Sequence, residues 1–178
     1  MTIFFISDTH FDHANILTFK RQDGSPLRPF RSVEEMNETM IERWNATVKP
    51  SDHIYHLGDV TMARGKATKH IDLIMSRLNG HKRICLGNHD LLVSAWYFRW
   101  FEKVKAINVL DGLAFTHIPI HLQSMGRYRA NVHGHLHANH VIASPHHPDP
   151  RYINVSVEQI DYTPVSLEAL KQRVGHEA

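Results

Sequence analysis

Apolar runs of strand length alternate with stretches of helical period along the first half of this chain, and strand-like runs cluster in the second. Ile3-Phe4-Phe5-Ile6 contains no polar position, which predicts a strand over 2–7 buried on both faces. A short helical stretch follows around His13–Phe19, then a polar loop, Lys20–Arg31, interrupted by Gly24, Pro26 and Pro29. Ser32 with Glu35 three residues later forms a capping box and opens a helix to about Thr47. Within it Val33, Met36, Met40, Ile41 and Trp44 recur at the spacing of one buried face. A strand over 53–57, a helix over 66–79 and a strand over 82–86 come next. Strands near 106–110, 113–116, 130–132 and 152–157 follow, and Thr163-Pro164 with Ser166 starts a last helix to about Val174. This order predicts an α/β fold in which two β-sheets face each other as a sandwich flanked by helices, in a single domain over residues 1–178.

The strands that matter chemically end in polar motifs. Asp8-Thr9-His10 follows the first, Gly58-Asp59 the second and Gly87-Asn88-His89-Asp90 the third; His117 and Gly134-His135-Leu136-His137 come later. Residues two apart on an extended chain point to the same side, so Asp8 and His10 are expected to close on one cation, with His135 and His137 repeating the arrangement. The glycines let backbone approach an ion or a phosphate closely.

This ordered set resembles the calcineurin-like metallophosphoesterase superfamily over Asp8 to His137, matching its D-x-H, G-D, G-N-H-D/E, H and G-H-x-H elements. The resemblance implies a two-sheet sandwich with a dinuclear metal centre at one edge. Carried over position by position, it implies that Asp8, His10 and His137 hold one metal, that Asn88, His117 and His135 hold the other, and that Asp59 bridges them. His89 is then the catalytic residue over the leaving group rather than a ligand. Many members read G-D-x-x-D-R-G after the second strand. Here Met62 stands at the second aspartate's place and Arg64 lies one residue late. The partner of His89 must therefore be a backbone carbonyl, a water or another carboxylate.

Two divalent cations at such a centre share a bridging water, lower its pKa and present hydroxide to phosphorus, while neutralising the phosphate oxygens. His89 would protonate the departing oxygen, a task imidazole suits because it exchanges protons near neutral pH. Imidazole and carboxylate without thiolate favour Mn²⁺, with Fe, Zn²⁺, Ni²⁺ and Co²⁺ as alternatives. Arg64, Arg28, Arg31, Arg127 and Arg129 are candidate phosphate contacts, since the loops that could form a lid (Lys20–Arg31, His121–Arg129 and His140–Arg151) are short and partly basic.

Composition narrows the function classes. The chain has 178 residues, 42% hydrophobic and 21% charged, with a net charge of +2, so a long basic track for nucleic acid is not favoured. It contains no apolar run near the ~18 residues of a membrane span, and no secretory leader is expected. Its single cysteine, Cys85, reads as a small buried hydrophobe; with no internal disulfide to form, a cytoplasmic setting is expected. Sixteen histidines are an excess. Beyond the motifs, His13, His56, His121 and His133 are placed to line the pocket or orient ligands, and His140, His146 and His147 form a late cluster that could catch an extra ion. Trp96, Tyr97, Phe98, Trp100 and Phe101 are too many for one helix face, which leaves a helix wedged on the sheet, a homo-oligomer interface or a base-stacking wall as readings.

The function expected is metal-dependent hydrolysis of a small or nucleotide-like phosphodiester. The alternatives with the same centre are a phosphomonoesterase and a nuclease. From another class, a non-catalytic binding platform would not need the full ligand set together with His89.

Overall fold

The computed structural model describes residues 1–91 and 94–175. Three strand–helix–strand crossovers set its first half: β1 (Ile3–Ile6), α1 (Val33–Thr47), β2 (His53–His56), α2 (Thr68–Arg77), β3 (His81–Cys85), α3 (Ser94–Trp100) and β4 (Lys103–Lys105). The second half runs through β5 (Ile107–Leu110), β6 (Leu113–Thr116), α4 (Leu122–Met125), β7 (Ala130–His133), β8 (Ile142–Ser144), β9 (His147–Pro148), β10 (Tyr152–Asn154), β11 (Val165–Ser166) and α5 (Leu167–Gly175).

β1 to β4 lie side by side in chain order and parallel, with β11 antiparallel on the outer edge of β1. Crossovers between parallel neighbours are right-handed, so stepping in one direction leaves α1, α2 and α3 on one face of the sheet. The other face takes the second sheet, ordered β10-β7-β6-β5, in which β10, β7 and β6 are parallel and β5 is antiparallel. Alternate strand residues therefore feed two cores. Phe4, Ile6, Ile54 and Ile84 pack with the helices, while Phe5, Tyr55, Leu57 and Cys85 pack against Leu113, Phe115, Val132 and Ile153. Phe5 stacks on Phe115 across the sandwich, ring centroids 4.1 Å apart, a contact of about 0.5–1.5 kcal/mol beyond the area it buries.

The expected α/β sandwich and the buried stripe of α1 are what the structure has, and Ser32 Oγ caps that helix by accepting the Glu35 N–H. The Glu35 carboxylate reaches back one residue further than a capping box requires, to the Arg31 N–H at 2.7 Å. β4 and β11 were not foreseen, because two or three residues show no period. In α3, Trp96 and Trp100 both donate their indole N–H to Asp72 Oδ1 on α2, at 3.0 and 2.7 Å. Tyr97 and Phe101 are buried, so Phe98, 66% exposed, is what this aromatic segment turns to solvent. Among the described residues no helix is long and apolar enough to cross a membrane.

All of β1, β2, β3, β6 and β7 point their C-terminal ends at one edge of the sandwich. Ser7 joins the two sheets there, its N–H donating to Val155 O at 3.0 Å and its carbonyl accepting from Val157 N at 3.1 Å.

Candidate metal centre

Every motif residue emerges from one of those five strand ends, the crevice where parallel sheets commonly bind ligands. The local backbone differs from the extended chain that the spacing suggested. β1 ends at Ile6, and Asp8 (φ +58°), His10 (+45°), Asp59 (+58°), His135 (+68°) and His137 (+50°) all adopt left-handed conformations. Successive tight turns, rather than strand alternation, aim these side chains. Such φ values are uncommon outside glycine, though Asp and His tolerate them best, and they concentrate at functional sites. Two glycines make the packing feasible: a Cβ on Gly87 would overlap Asp59 Oδ1, and one on Gly134 would overlap Ser7 Oγ and Asp8 Oδ2.

The seven expected ligands converge. Asp8, His10 and His137 form one group of mutually close ligand atoms, and Asp8, Asp59 and His117 form a second. Asp59 Oδ2 lies 3.6 Å from His10 Nε2 and 3.4 Å from His117 Nε2, between the two sets. Asn88 Oδ1 is 2.9 Å from His117 Nε2, and the His135 ring sits edge-on to His117 with centroids 5.1 Å apart. The His89 ring is 5.7 Å from that of His10, and its backbone N–H donates to Asp59 Oδ1 at 2.8 Å.

A hydrogen bond fixes the tautomer of His117. His117 Nδ1 is 2.8 Å from Leu57 O, and a carbonyl only accepts, so Nδ1 carries a proton and Nε2 faces Asn88 Oδ1 and Asp59 Oδ2. An acceptor set this tight needs either a second ring proton or a cation among its members. Burial depresses the His117 pKa, but Asp59, Asp8 and the Leu57 carbonyl outweigh it and raise the pKa. Burial acts on Asp59 in the opposite sense to its partners; His117, the His89 N–H and His10 together hold it at about 2. His10 is pulled well below its ordinary value, first by burial and then by Arg28. His10 and Asp59 are thereby held in their ligating states, neutral imidazole and ionised carboxylate, whereas burial pushes Asp8 up and the His117 shift favours the imidazolium, a proton that a cation would replace. Asp8 Oδ1 and both ring nitrogens of His10 are buried with no hydrogen-bond partner. A divalent cation satisfies such orphaned atoms, so the residues fit the metals that the motif set implies.

A second layer holds the ligands in place. Glu158 Oε1 accepts from His137 Nδ1 at 3.1 Å and from Arg28 Nε at 2.8 Å. Arg28 also donates to Asp8 O at 2.6 Å and Thr9 O at 2.8 Å. It is 1% exposed, which corrects its reading as a phosphate contact: it braces the Asp8-Thr9-His10 loop from beneath. His56 Nδ1 accepts the Gly58 N–H at 3.1 Å, so its proton sits on Nε2 and is donated to Thr9 Oγ1 at 3.0 Å, which in turn donates to Val60 O. Asp90 accepts from the N–H groups of Asp59, Val60 and Gly87. These bonds tie the second and third loops together, and among the described residues the His89 ring makes no hydrogen bond to Asp90. Burial raises Asp90 to about 6 despite those bonds.

The remaining candidates separate. Arg64 is exposed beside the site, with Nη2 donating to His89 O at 3.2 Å. Arg129 donates to Asp111 O in the β5–β6 turn, at the N-terminal end of β7 and so at the far end of the sheet, which removes it from the site. Arg127 lies over the Tyr128 ring, and Arg31 is exposed before α1. His13 and His133 border the ligands, His121 caps α4, and no ligand group among the described residues includes His140, His146 or His147. Sequence reasoning missed Glu158 altogether. It stands past the last motif in Val157-Glu158-Gln159, and only an acid beside buried apolar positions marks it.

Comparison with known proteins supplies the family context. A family model described as calcineurin-like phosphoesterase matches residues 1–174. The chain is 40% identical to an uncharacterized protein of Methanocaldococcus jannaschii over 171 residues, covering 94% of this chain and 88% of that protein. It is 26% identical to the Gene 66 protein of Mycobacterium phage L5, covering 86% of this chain and 85% of that one. The crystal structure of a protein of unknown function from Aquifex aeolicus superimposes with a TM-score of 0.73 at 24% identity, covering 96% of this chain and 98% of the other. That likeness speaks for the fold alone.

Proposed function

The chain belongs to the calcineurin-like phosphoesterase family, and on that premise we propose that it is a metal-dependent phosphodiesterase acting on a small or nucleotide-like substrate. The observation that carries the reading is the position of Asp59 Oδ2 between His10 and His117, 3.6 and 3.4 Å away, with Asp8 Oδ1 and His10 Nε2 buried and unpartnered. Asp8, His10 and His137 would hold one divalent ion, Asn88, His117 and His135 the other, with Asp59 shared. When bound, such a pair supplies Lewis acidity toward phosphoryl oxygens and toward water; Mn²⁺ is the ion we propose, Fe, Zn²⁺, Ni²⁺ and Co²⁺ being compatible with the same ligands.

The protein's own part is positioning and proton transfer. His89, held through its N–H on Asp59, stands over the His10 side and protonates the departing oxygen. Arg64, anchored on the His89 carbonyl, contacts a phosphate oxygen. The short loops bordering the cluster leave it open enough for a substrate with chain on both sides of phosphorus, which favours a diester over a monoester. One buried thiol and a family fold that needs no disulfide suit a cytoplasmic setting.

The test is turnover of bis-p-nitrophenyl phosphate beside p-nitrophenyl phosphate by the Mn²⁺-loaded protein. We expect the diester to be preferred, Asp59→Asn to abolish turnover, and His89→Ala to keep two metal equivalents while losing about 10²–10⁴ in rate. Preference for the monoester would reassign the protein as a phosphatase. Full activity in either variant would overturn the assigned roles.

A further inference from the structure

Two hollows reach the candidate ligands and share no lining residue. The first, about 440 Å³, touches His135 and His137 and is walled by Phe19, Lys20 and Arg21. The second, about 380 Å³, touches Asn88 and His117 and is walled by Leu86, Ile118 and Ile120. Their chemistry is opposite. In the first, Phe19 is 49% exposed, and neither Lys20 nor Arg21 has a carboxylate at ion-pair distance among the described residues. Its two walls are tied by Gln22 Nε2 donating to Asn139 Oδ1 at 3.1 Å. The second carries no ionisable side chain beyond His117 itself, and its Leu86 and Ile118 are 40% and 52% exposed.

Half-exposed aliphatic side chains beside a polar cluster leave apolar surface that the chain itself does not cover, and two cations without ion-pair partners beside an open aromatic ring attract a planar anion. A monoester has one arm and would leave one hollow unused. We propose that the substrate is an asymmetric phosphodiester. Its phosphorus sits at the Asp8, Asp59 and histidine cluster. One arm, bearing a ring and a further anionic group, lies on Phe19, Lys20 and Arg21. The other arm, apolar, lies along Leu86, Ile118 and Ile120. Water adds to phosphorus, one P–O ester bond breaks, and the departing oxygen takes a proton, leaving a phosphomonoester and an alcohol. This inference rests on the phosphodiesterase reading and specifies its substrate.

Four diesters test it: thymidine 5′-phosphate methyl and hexyl esters, each with and without a 3′-phosphate, followed chromatographically with the Mn²⁺-loaded protein. We expect the hexyl ester to exceed the methyl ester in kcat/KM by about tenfold or more, since each buried methylene contributes on the order of 0.8 kcal/mol. The 3′-phosphate should add a second, separate gain. Ile118→Asp should erase the hexyl advantage and spare the 3′-phosphate advantage, and Lys20→Glu/Arg21→Glu should do the reverse. Calorimetry with hexyl phosphate and with thymidine 3′,5′-bisphosphate should show the same division without turnover. Equal rates for hexyl and methyl, or both variants eroding both advantages alike, would overturn the proposal. Cleavage of methyl p-nitrophenyl phosphate with none of the four accepted would sink the arms alone, whereas silence on every diester would sink the phosphodiesterase reading with them.

Discussion

Glu158 and Arg28 form an ion pair in which neither side chain has any solvent exposure, Nε to Oε1 at 2.8 Å. The same oxygen takes the His137 Nδ1–H, and the guanidinium holds the carbonyls of Asp8 and Thr9. One pair thus sets the orientation of a candidate ligand from each end of the chain. Burial pushes the Glu158 carboxyl up, but Arg28 and His137 overcome it and hold the group below its ordinary range.

Removing one member of that pair strands the other. Arg28→Met should cost about 3–5 kcal/mol in urea unfolding of the metal-free protein, because it leaves a carboxylate buried and uncompensated. Glu158→Gln should weaken one of the two Mn²⁺ equivalents by about 10–100-fold in calorimetry and spare the other. Equal loss at both would mean that Glu158 does not act through His137.

Gly87→Ala probes geometry without replacing a candidate ligand. The new Cβ would overlap Asp59 Oδ1, so the carboxylate must swing away. We expect weaker binding of both metal equivalents with native far-UV circular dichroism. Unchanged metal affinity would show that Asp59 need not stay where the structure has it.

His56 makes acid destabilising. Burial lowers its pKa to about 3, against about 6.5 in an unfolded chain. The unfolded state therefore takes up the proton first. The contribution is fully present above pH 6.5 and is lost as pH falls toward 3, at up to roughly 1.4 kcal/mol per unit. Urea midpoints of the EDTA-treated protein should fall from pH 7 to pH 5, and His56→Gln should flatten that slope. A slope unchanged in the variant would assign the effect to another group.

Metal should stabilise the fold. At a free concentration a hundred times Kd, each site adds about 2.7 kcal/mol, so EDTA should lower Tm and Mn²⁺ should restore it. Asp8→Asn should abolish most of the restoration, since Asp8 belongs to both ligand groups. Arg129→Ala, at the far end of β7, should leave it intact.

Much of this was legible in the sequence because strand ends are marked by where apolar runs stop. Asp8, Asp59, Asn88, His117 and His135 each follow such a run, and parallel strands bring their ends to one edge. The α1 stripe was legible because Met36, Met40, Ile41 and Trp44 keep helical spacing. Glu158 and the true place of Arg28 were not. Their partnership spans 130 positions, and no local period records a contact made only when the sheets close. Arg129 looked like a substrate contact because a loop's sequence does not say which end of a strand it serves. The left-handed turns were hidden too, since Asp and His in D-x-H also read naturally as strand.

Those turns have a consequence for anyone altering this protein. Asp8, His10, Asp59, His135 and His137 hold a conformation in which glycine is at ease and they are not. A screen that rewards thermal stability alone, run without metal, will find gains at these positions, since glycine there relaxes the backbone. Each gain would erase a ligand. Directed evolution toward robustness will hollow out the reaction first unless every round also selects for metal retention.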